Sequence, residues 1–359
     1  MQTTHSAAEL AKVMDELAYY ETGIYESIEE NVRFKPKNKP ELQIAIKETT
    51  GAYSTKNPNK YGPIDLWNTS LITDMSNLFM NCKTFNEPIC NWDVSQVTNM
   101  GSMFFGCERF NQPLEKWNVS SVTNMEGMFH KCEQFNQPLN NWDVSSVTDM
   151  VAMFHNCERF NQPLNNWNIS KVTTIFWMFY KCENFNQPLD KWVVSSVTNL
   201  EGMFYDCEVF NQQLDKWNIS RVTNIDWMFS GCVMFNQPLD CWDVGQVTTM
   251  ENVFARCIKF NQPLDYWDVS LVENMASMFF DCKSFNQPID FWDVRSVTNM
   301  TSMFSRCKEF DQTLDNWDIS SVSDMEAMFY ACTAHAREQP SRWGIRSGER
   351  GLGGHHYVH

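Results

Sequence analysis

From Leu114 to Phe135 the apolar positions are Leu114, Trp117, Val119, Val122, Met125, Met128, Phe129, Cys132 and Phe135, and the same set returns every 25 residues. Trp67, Trp92, Trp117 and their successors to Trp317 keep that spacing without a slip, eleven in all. Exchanges within a column stay apolar: Ile stands for Leu at 64, 89 and 289, and Ile or Leu stands for Met at 175, 200 and 225. A fixed internal period makes a chain of 359 residues a one-dimensional array, not a string of independent domains.

Within one period, Leu114-x-x-Trp117-x-Val119 is the frame of a leucine-rich repeat with tryptophan in the middle slot. Trp117 and Val119 alternate around Asn118, which predicts a short strand. Counted from Met125, the next apolar positions fall at i, i+3, i+4 and i+7, one face of about two helical turns. Asn124, with Asp at 149 and 324, stands where an N-cap belongs. Phe135-Asn136-Gln137-Pro138 then turns the chain back, the proline stopping any helix. One such unit buries too little apolar surface to offset the entropy of ordering it, so neighbours must stack. The expected fold is an α/β solenoid, a leucine-rich-repeat array of eleven 25-residue strand–short-helix repeats with a parallel strand column. A right-handed parallel β-helix-like solenoid is the alternative.

The ends break the pattern. Residues 1–61 read as an N-terminal helical cap, with Leu10, Val13, Met14 and Leu17 at helical spacing and a second helix opening at Pro40 and running through Ile46. The repeats occupy 62–333. Residues 334–359 form a basic, Gly- and His-rich stretch without apolar periodicity, expected to be disordered, or else the product of a frame-shifted or mis-spliced gene end. An uncovered last coil invites end-to-end self-association.

A formal net charge of −16 argues against nucleic-acid or anionic-membrane binding, both of which need basic patches. No apolar run reaches the roughly 18 residues that span a bilayer. Met1–Leu17 lacks the basic-then-apolar layout of a secretory signal, so a cytoplasmic address is the default. Of thirteen cysteines, eleven occupy one column, and only Cys90 and Cys241 lie off it. Thiols recurring inside an apolar pattern are expected to be reduced and buried, neither disulfides nor a zinc site.

Catalysis needs unlike residues converging, whereas stacked copies make ladders of like residues. No phosphate loop, zinc-protease motif or nucleophile elbow occurs, His130 and His155 read as exposed surface, and no enzyme and no cofactor are expected. Binding specificity must lie where the copies differ. The position before each Trp is Leu66, then Asn or Lys as far as Lys216, then Cys241, Tyr266, Phe291 and Asn316; the position after it ends in Asp243, Asp268, Asp293 and Asp318. Tyr266 and Phe291 beside that carboxylate ladder are the expected contact site for a basic protein partner on the concave face. Trp177 and Trp227 suggest a second patch. Asp190, Asp215, Asp240, Asp265, Asp290 and Asp315 form another column whose repulsion calcium could relieve, although calcium-binding nonapeptides are lacking.

The unit F-N-Q-P-L-x-x-W-D-V-S-S-V-T-x-M-x-x-M-F-x-x-C, as at residues 135–157, resembles the BspA-like leucine-rich-repeat proteins. It is closest to the branch common among mycoplasma and other bacterial surface proteins, also found in protists and large DNA viruses. The lead-in RFKPKNKPELQIAI (33–46) and YGPIDLWNTSLITDMSNLF (61–79) resemble that family's too. The resemblance implies a non-catalytic repeat scaffold, with adhesion or protein binding attributed to some secreted members. A secreted adhesin and a structural, cation-stabilised array are therefore the alternatives to a protein-interaction scaffold.

Overall fold

The computed structural model describes residues 33–50 and 60–332; the helix expected around Leu10–Leu17 and the stretch after Cys332 lie outside the described residues. The chain enters through helix α1 (Lys39–Thr50). Asn38 caps it, Oδ1 accepting the Glu41 N–H at 3.0 Å, while the Glu41 carboxylate reaches back to the Lys37 N–H at 2.8 Å. Leu42, Ala45 and Ile46 of α1 join the core of the first coil, and Lys39 Nζ ties the helix start to Asp74 (2.9 Å) and Ser76 (2.6 Å).

Beyond α1 the backbone winds into stacked coils. The apolar columns read from the sequence are the core: Leu114, Trp117, Val119, Val122, Met125, Met128, Phe129, Cys132 and Phe135 are all buried, in one cluster that continues from Leu42 to Cys332. Aromatic rings stack within and between coils, with Phe129–Phe135 centroids 4.2 Å apart, Phe129–Phe154 5.6 Å and Trp117–Trp142 6.4 Å.

Two expected elements do not form. Met125–Cys132 is a run of turns, not a helix. The residues two after each Met and two after each Phe adopt left-handed backbone, as in Gly127 (φ 56°) and Lys131 (φ 59°). That conformation turns their N–H groups out of the coil: Gly127 N–H donates to Val151 O (2.8 Å) and Lys131 N–H to His155 O (2.7 Å). Alternate residues close back three positions, Met128 N–H to Met125 O and Cys132 N–H to Phe129 O. A helix would spend every N–H inside its own coil and leave neighbours joined by side chains alone. A four-residue turn repeat buries nearly the same positions as a 3.6-residue helix, so the apolar pattern alone does not separate them.

The strand at Trp117–Val119 is also missing; among the described residues no continuous strand occurs. Parallel pairing is confined to single bridges one residue before the Met column, such as Asn99↔Asn124 and Asn124↔Asp149. There Thr123 N–H donates backwards to Thr98 O and Met125 N–H forwards to Asp149 O. On the Trp side the coils are joined by side chains. Each indole N–H from Trp92 to Trp317 donates to the carbonyl of the Leu or Ile 28 residues earlier, as Trp142 Nε1 does to Leu114 O at 3.0 Å. The Cys132 thiol donates to Phe104 O at 3.1 Å. Asn111 Oδ1 accepts both the Asn136 N–H (2.9 Å) and Gln137 Nε2 (3.0 Å), which explains why Asn and Gln recur in the turn. Buried polar groups must find partners, and here they find them in the neighbouring coil.

Trp142→Phe tests this arrangement. It keeps most of the apolar bulk but removes the inter-coil donor to the Leu114 carbonyl, which retains the Trp117 N–H at 3.0 Å, and should cost about 1 kcal/mol in denaturant unfolding.

Candidate interaction surface

The expected contact column lies beside the Trp ladder. Tyr266 and Phe291 are 77% and 76% exposed, although Trp267 and Trp292, one residue on, are buried. Cys241, next in the column, is also exposed, its thiol donating to Asp215 O at 3.1 Å.

The four aspartates after the tryptophans have backbone work as well. Oδ1 of Asp243, Asp268 and Asp318 each accepts the N–H two residues on at 3.1 Å, closing an Asx turn, and Asp293 does the same to Arg295 at 3.3 Å. Asn118, Asn168 and Asn218 make the same bond in earlier coils, so the turn needs an amide or carboxylate oxygen, not a charge. Arg295 also grips the Asp293 carboxylate through Nε (2.8 Å) and Nη2 (2.5 Å), and this pairing holds Asp293 down at about 2. A concavity of about 320 Å³ opens here, lined by Asp290, Phe291, Trp292, Asp293, Val294, Arg295, Asn316 and Asp318. Sequence spacing placed Phe291 and Asp293 together but missed Arg295, whose column holds Ser in most coils. Asp268→Ala should cost about 1 kcal/mol and Asp268→Asn less than about 0.5 kcal/mol by chemical denaturation, separating turn from charge.

In the other aspartate column, Asp190 and Asp290 are engaged by neighbouring coils. Asp190 accepts from Asn165 Nδ2 (2.9 Å) and Lys216 Nζ (3.2 Å), and Asp290 from the Asn316 N–H (2.9 Å) and Nδ2 (2.6 Å). No group of three or more His, Cys, Asp or Glu suited to a metal ion occurs among the described residues. The crowding sequence reasoning missed is at Glu201, Asp226 and Glu251, on successive coils. There burial, and then the charges of Glu251 and Glu201, raise Asp226 to about 6 against hydrogen bonds from Thr249 and Glu251.

His130 and His155 are not open surface. They form a half-buried stack, Phe105–His130–His155–Tyr180–Tyr205, with centroids 4.2–4.4 Å apart. Burial, then Lys131, pushes His130 down to about 4. Burial, then the charges of His130, Lys131 and Lys181, takes His155 to about 3. His155 Nδ1 is buried with no hydrogen-bond partner. Following the residue after each recurring Phe through the repeats would have shown this aromatic run. Trp177 and Trp227 both hold left-handed backbone (φ 57° and 61°), and Trp177 lies where a side chain on Gly202 would stand. The column cysteines from Cys107 to Cys332 are buried and unbridged, with burial pushing thiols such as Cys132 and Cys182 well above their ordinary range.

Stacked coils carrying the L-x-x-W-x-V frame define a leucine-rich-repeat solenoid. The chain belongs to the family described as "Mycoplasma protein of unknown function, DUF285", whose pattern matches residues 48–167, 131–242 and 225–343. No curated protein matches the sequence. Among solved structures it is similar to a leucine rich cell surface protein of Faecalibacterium prausnitzii, at 16% identity over 79% of this chain and 81% of that one, with a TM-score of 0.36. It is also similar to a leucine-rich repeat protein of Eubacterium ventriosum, at 15% identity over 77% and 87%, with a TM-score of 0.38. Both superpositions are too loose to define the coil geometry.

Proposed function

We propose that this chain is a non-catalytic scaffold that binds a basic protein partner along the concave face of repeats 7–11 of an eleven-coil solenoid spanning 62–333, capped by residues 1–61. The observation that carries the reading is the exposure of Tyr266 (77%) and Phe291 (76%) on a face whose backbone is otherwise held by the inter-coil bonds. Large aromatics fixed on a rigid surface lose little entropy on binding and are favoured anchors. Asp243, Asp268 and Asp318 surround them with carboxylates that the turns do not require to be charged, which suits a Lys- or Arg-bearing partner. The unbridged thiols fit a reducing compartment. No helix among the described residues is long and apolar enough to cross a membrane.

The test is affinity capture from an extract of the native organism with the parent chain and with Tyr266→Ser/Phe291→Ser/Asp268→Asn/Asp293→Asn, a set that keeps the Asx turns. Partners captured by the parent should be lost by the variant, whose unfolding midpoint should stay close to the parent's. Retention of every partner by a folded variant would overturn the site.

A further inference from the structure

The two positions after each column cysteine form a strip along the stack. Backbone bonds fix its register: Gln134 N–H donates to Glu108 O (3.2 Å), Met234 N–H to Glu208 O (3.1 Å) and Glu309 N–H to Lys283 O (3.3 Å), each one coil back. Along the strip the chemistry changes in three blocks. The first carries Glu108, Glu133, Glu158, Glu183 and Glu208 on successive coils. Lys83 pairs with Glu108 at 2.7 Å, but among the described residues the other four have no ion pair. Like charges on neighbouring coils repel, and partial burial, then the charge of Glu158, raises both Glu133 and Glu183. The second block is apolar: Val209 and Met234 are exposed, and Val233 and Ile258 are half-buried beside them. The third is basic, with Lys259, Lys283 and Lys308, of which Lys283 lies 3.9 Å from Asp281.

We propose that this strip is a self-association surface on which a second copy of the chain packs antiparallel, about a two-fold axis crossing the coil of Met234. Under that symmetry each coil after Met234 meets the coil equally far before it. Lys283 then faces Glu183 and Lys308 faces Glu158. Glu309, the one acidic residue of the basic block, faces Arg159. Val209, Val233, Met234 and Ile258 of the two copies meet at the centre, with opposite charges at both ends.

Charge selects a second copy over an unrelated partner. An isologous interface needs a patch complementary to its own reverse, and the order acidic, apolar, basic supplies one. A basic partner would satisfy the glutamates but set like charge against the lysines, and an acidic partner would do the opposite. The coils lie side by side in this arrangement, unlike the end-to-end association expected from an uncovered last coil. The strip contains none of the residues proposed to bind a partner, so the two readings are tested separately.

Sedimentation equilibrium of the full chain tests it, beside Glu158→Lys/Glu183→Lys, Lys283→Glu/Lys308→Glu and an equimolar mixture of the two variants. The parent should form a dimer that added salt weakens. Each variant sets like charges against each other at both ends and should raise the dissociation constant about tenfold or more. The mixture should restore the dimer, because across a heterodimer opposite charges face each other again. A parent that stays monomeric at low salt and about 1 mM chain overturns the proposal. Unchanged association in either folded variant also overturns it, and assigns the contact to the coil ends or to another face. So does a mixture no more dimeric than its components. If one variant loses its cooperative unfolding transition, the other decides alone: a weakened dimer supports the strip and an unchanged one overturns it.

Discussion

Phe204→Ala should lower the unfolding free energy by about 3–5 kcal/mol, the range for deleting a fully buried aromatic side chain. Phe204 is completely buried, stacked on Phe210 at 4.2 Å within its coil and on Phe179 and Phe229 at 5.8 Å in the coils on either side. The backbone bonds at this residue do not involve the ring, so the loss reports packing alone. Because each coil touches only its neighbours, a void in the middle of the stack weakens two interfaces together. Denaturant unfolding followed by tryptophan fluorescence should therefore show an earlier midpoint, and a broadened or split transition as the halves uncouple. Phe291→Ala is the internal control. The residue type is the same, but with its ring 76% exposed the change in stability should stay within about 0.5 kcal/mol, while partner capture falls. A large destabilisation from Phe291→Ala would remove that ring from the interaction surface and return it to the core.

The second large effect is on pH. His130 and His155 titrate in the folded chain at about 4 and about 3, below the ordinary value of 6.5. Because both folded values are depressed, the unfolded chain takes up protons first as the pH falls. Their contribution is intact above about 6.5 and is lost progressively as the pH drops towards about 4 and then 3. With the rings only half-buried and therefore partly screened, the pair should account for on the order of 2–4 kcal/mol across that window. Asp226 acts with the opposite sign: its folded value is raised to about 6, so its destabilising charge at neutral pH is relieved as the pH falls. The decisive quantity is thus the difference between the native chain and His130→Phe/His155→Phe, a substitution that Phe105 already makes in the same column. Urea midpoints measured from neutral pH down to about 4 should fall further for the native chain than for the variant, which has no imidazole here to protonate, if the stack behaves as described. Parallel curves would show that the imidazoles titrate normally and that acid sensitivity lies elsewhere.

Much of the core was legible because stacking makes the sequence compare itself with itself. Columns that accept only apolar exchanges, Leu or Ile at 114 and its equivalents and Met, Ile or Leu at 175 and 200, must face inward, and all three residues are buried. The candidate surface comes from the complementary comparison: Tyr266 and Phe291 stand out in a column otherwise made mostly of Asn and Lys, all of it exposed, so chemistry and not exposure singles them out. Illegible were the contacts made by residues that look like turn filler. Asn111 and Gln137 read as loop chemistry, yet one amide oxygen at Asn111 holds two donors of the next coil. Arg295 drew no reading from the sequence, yet it pairs with one of the aspartates expected to bind a partner. His130 and His155 read as solvent-facing because each follows an inward Phe, whereas the rings they stack on lie 25 residues away along the chain.

The amino-acid sequence by itself determined the period, the inward columns and the places where the copies differ, since burial of apolar side chains depends on spacing along the chain. Only the tertiary structure decided how the backbone satisfies itself. An apolar spacing of three and four fits a helix and a repeating turn equally well, and the choice depends on where the N–H groups go. In this chain the left-handed residues at positions such as Lys131 and Trp177 aim them at the next coil, Lys131 to His155 O and Trp177 to Glu201 O. That conformation is unfavourable in an isolated coil and stabilised only by the neighbour that accepts the bond.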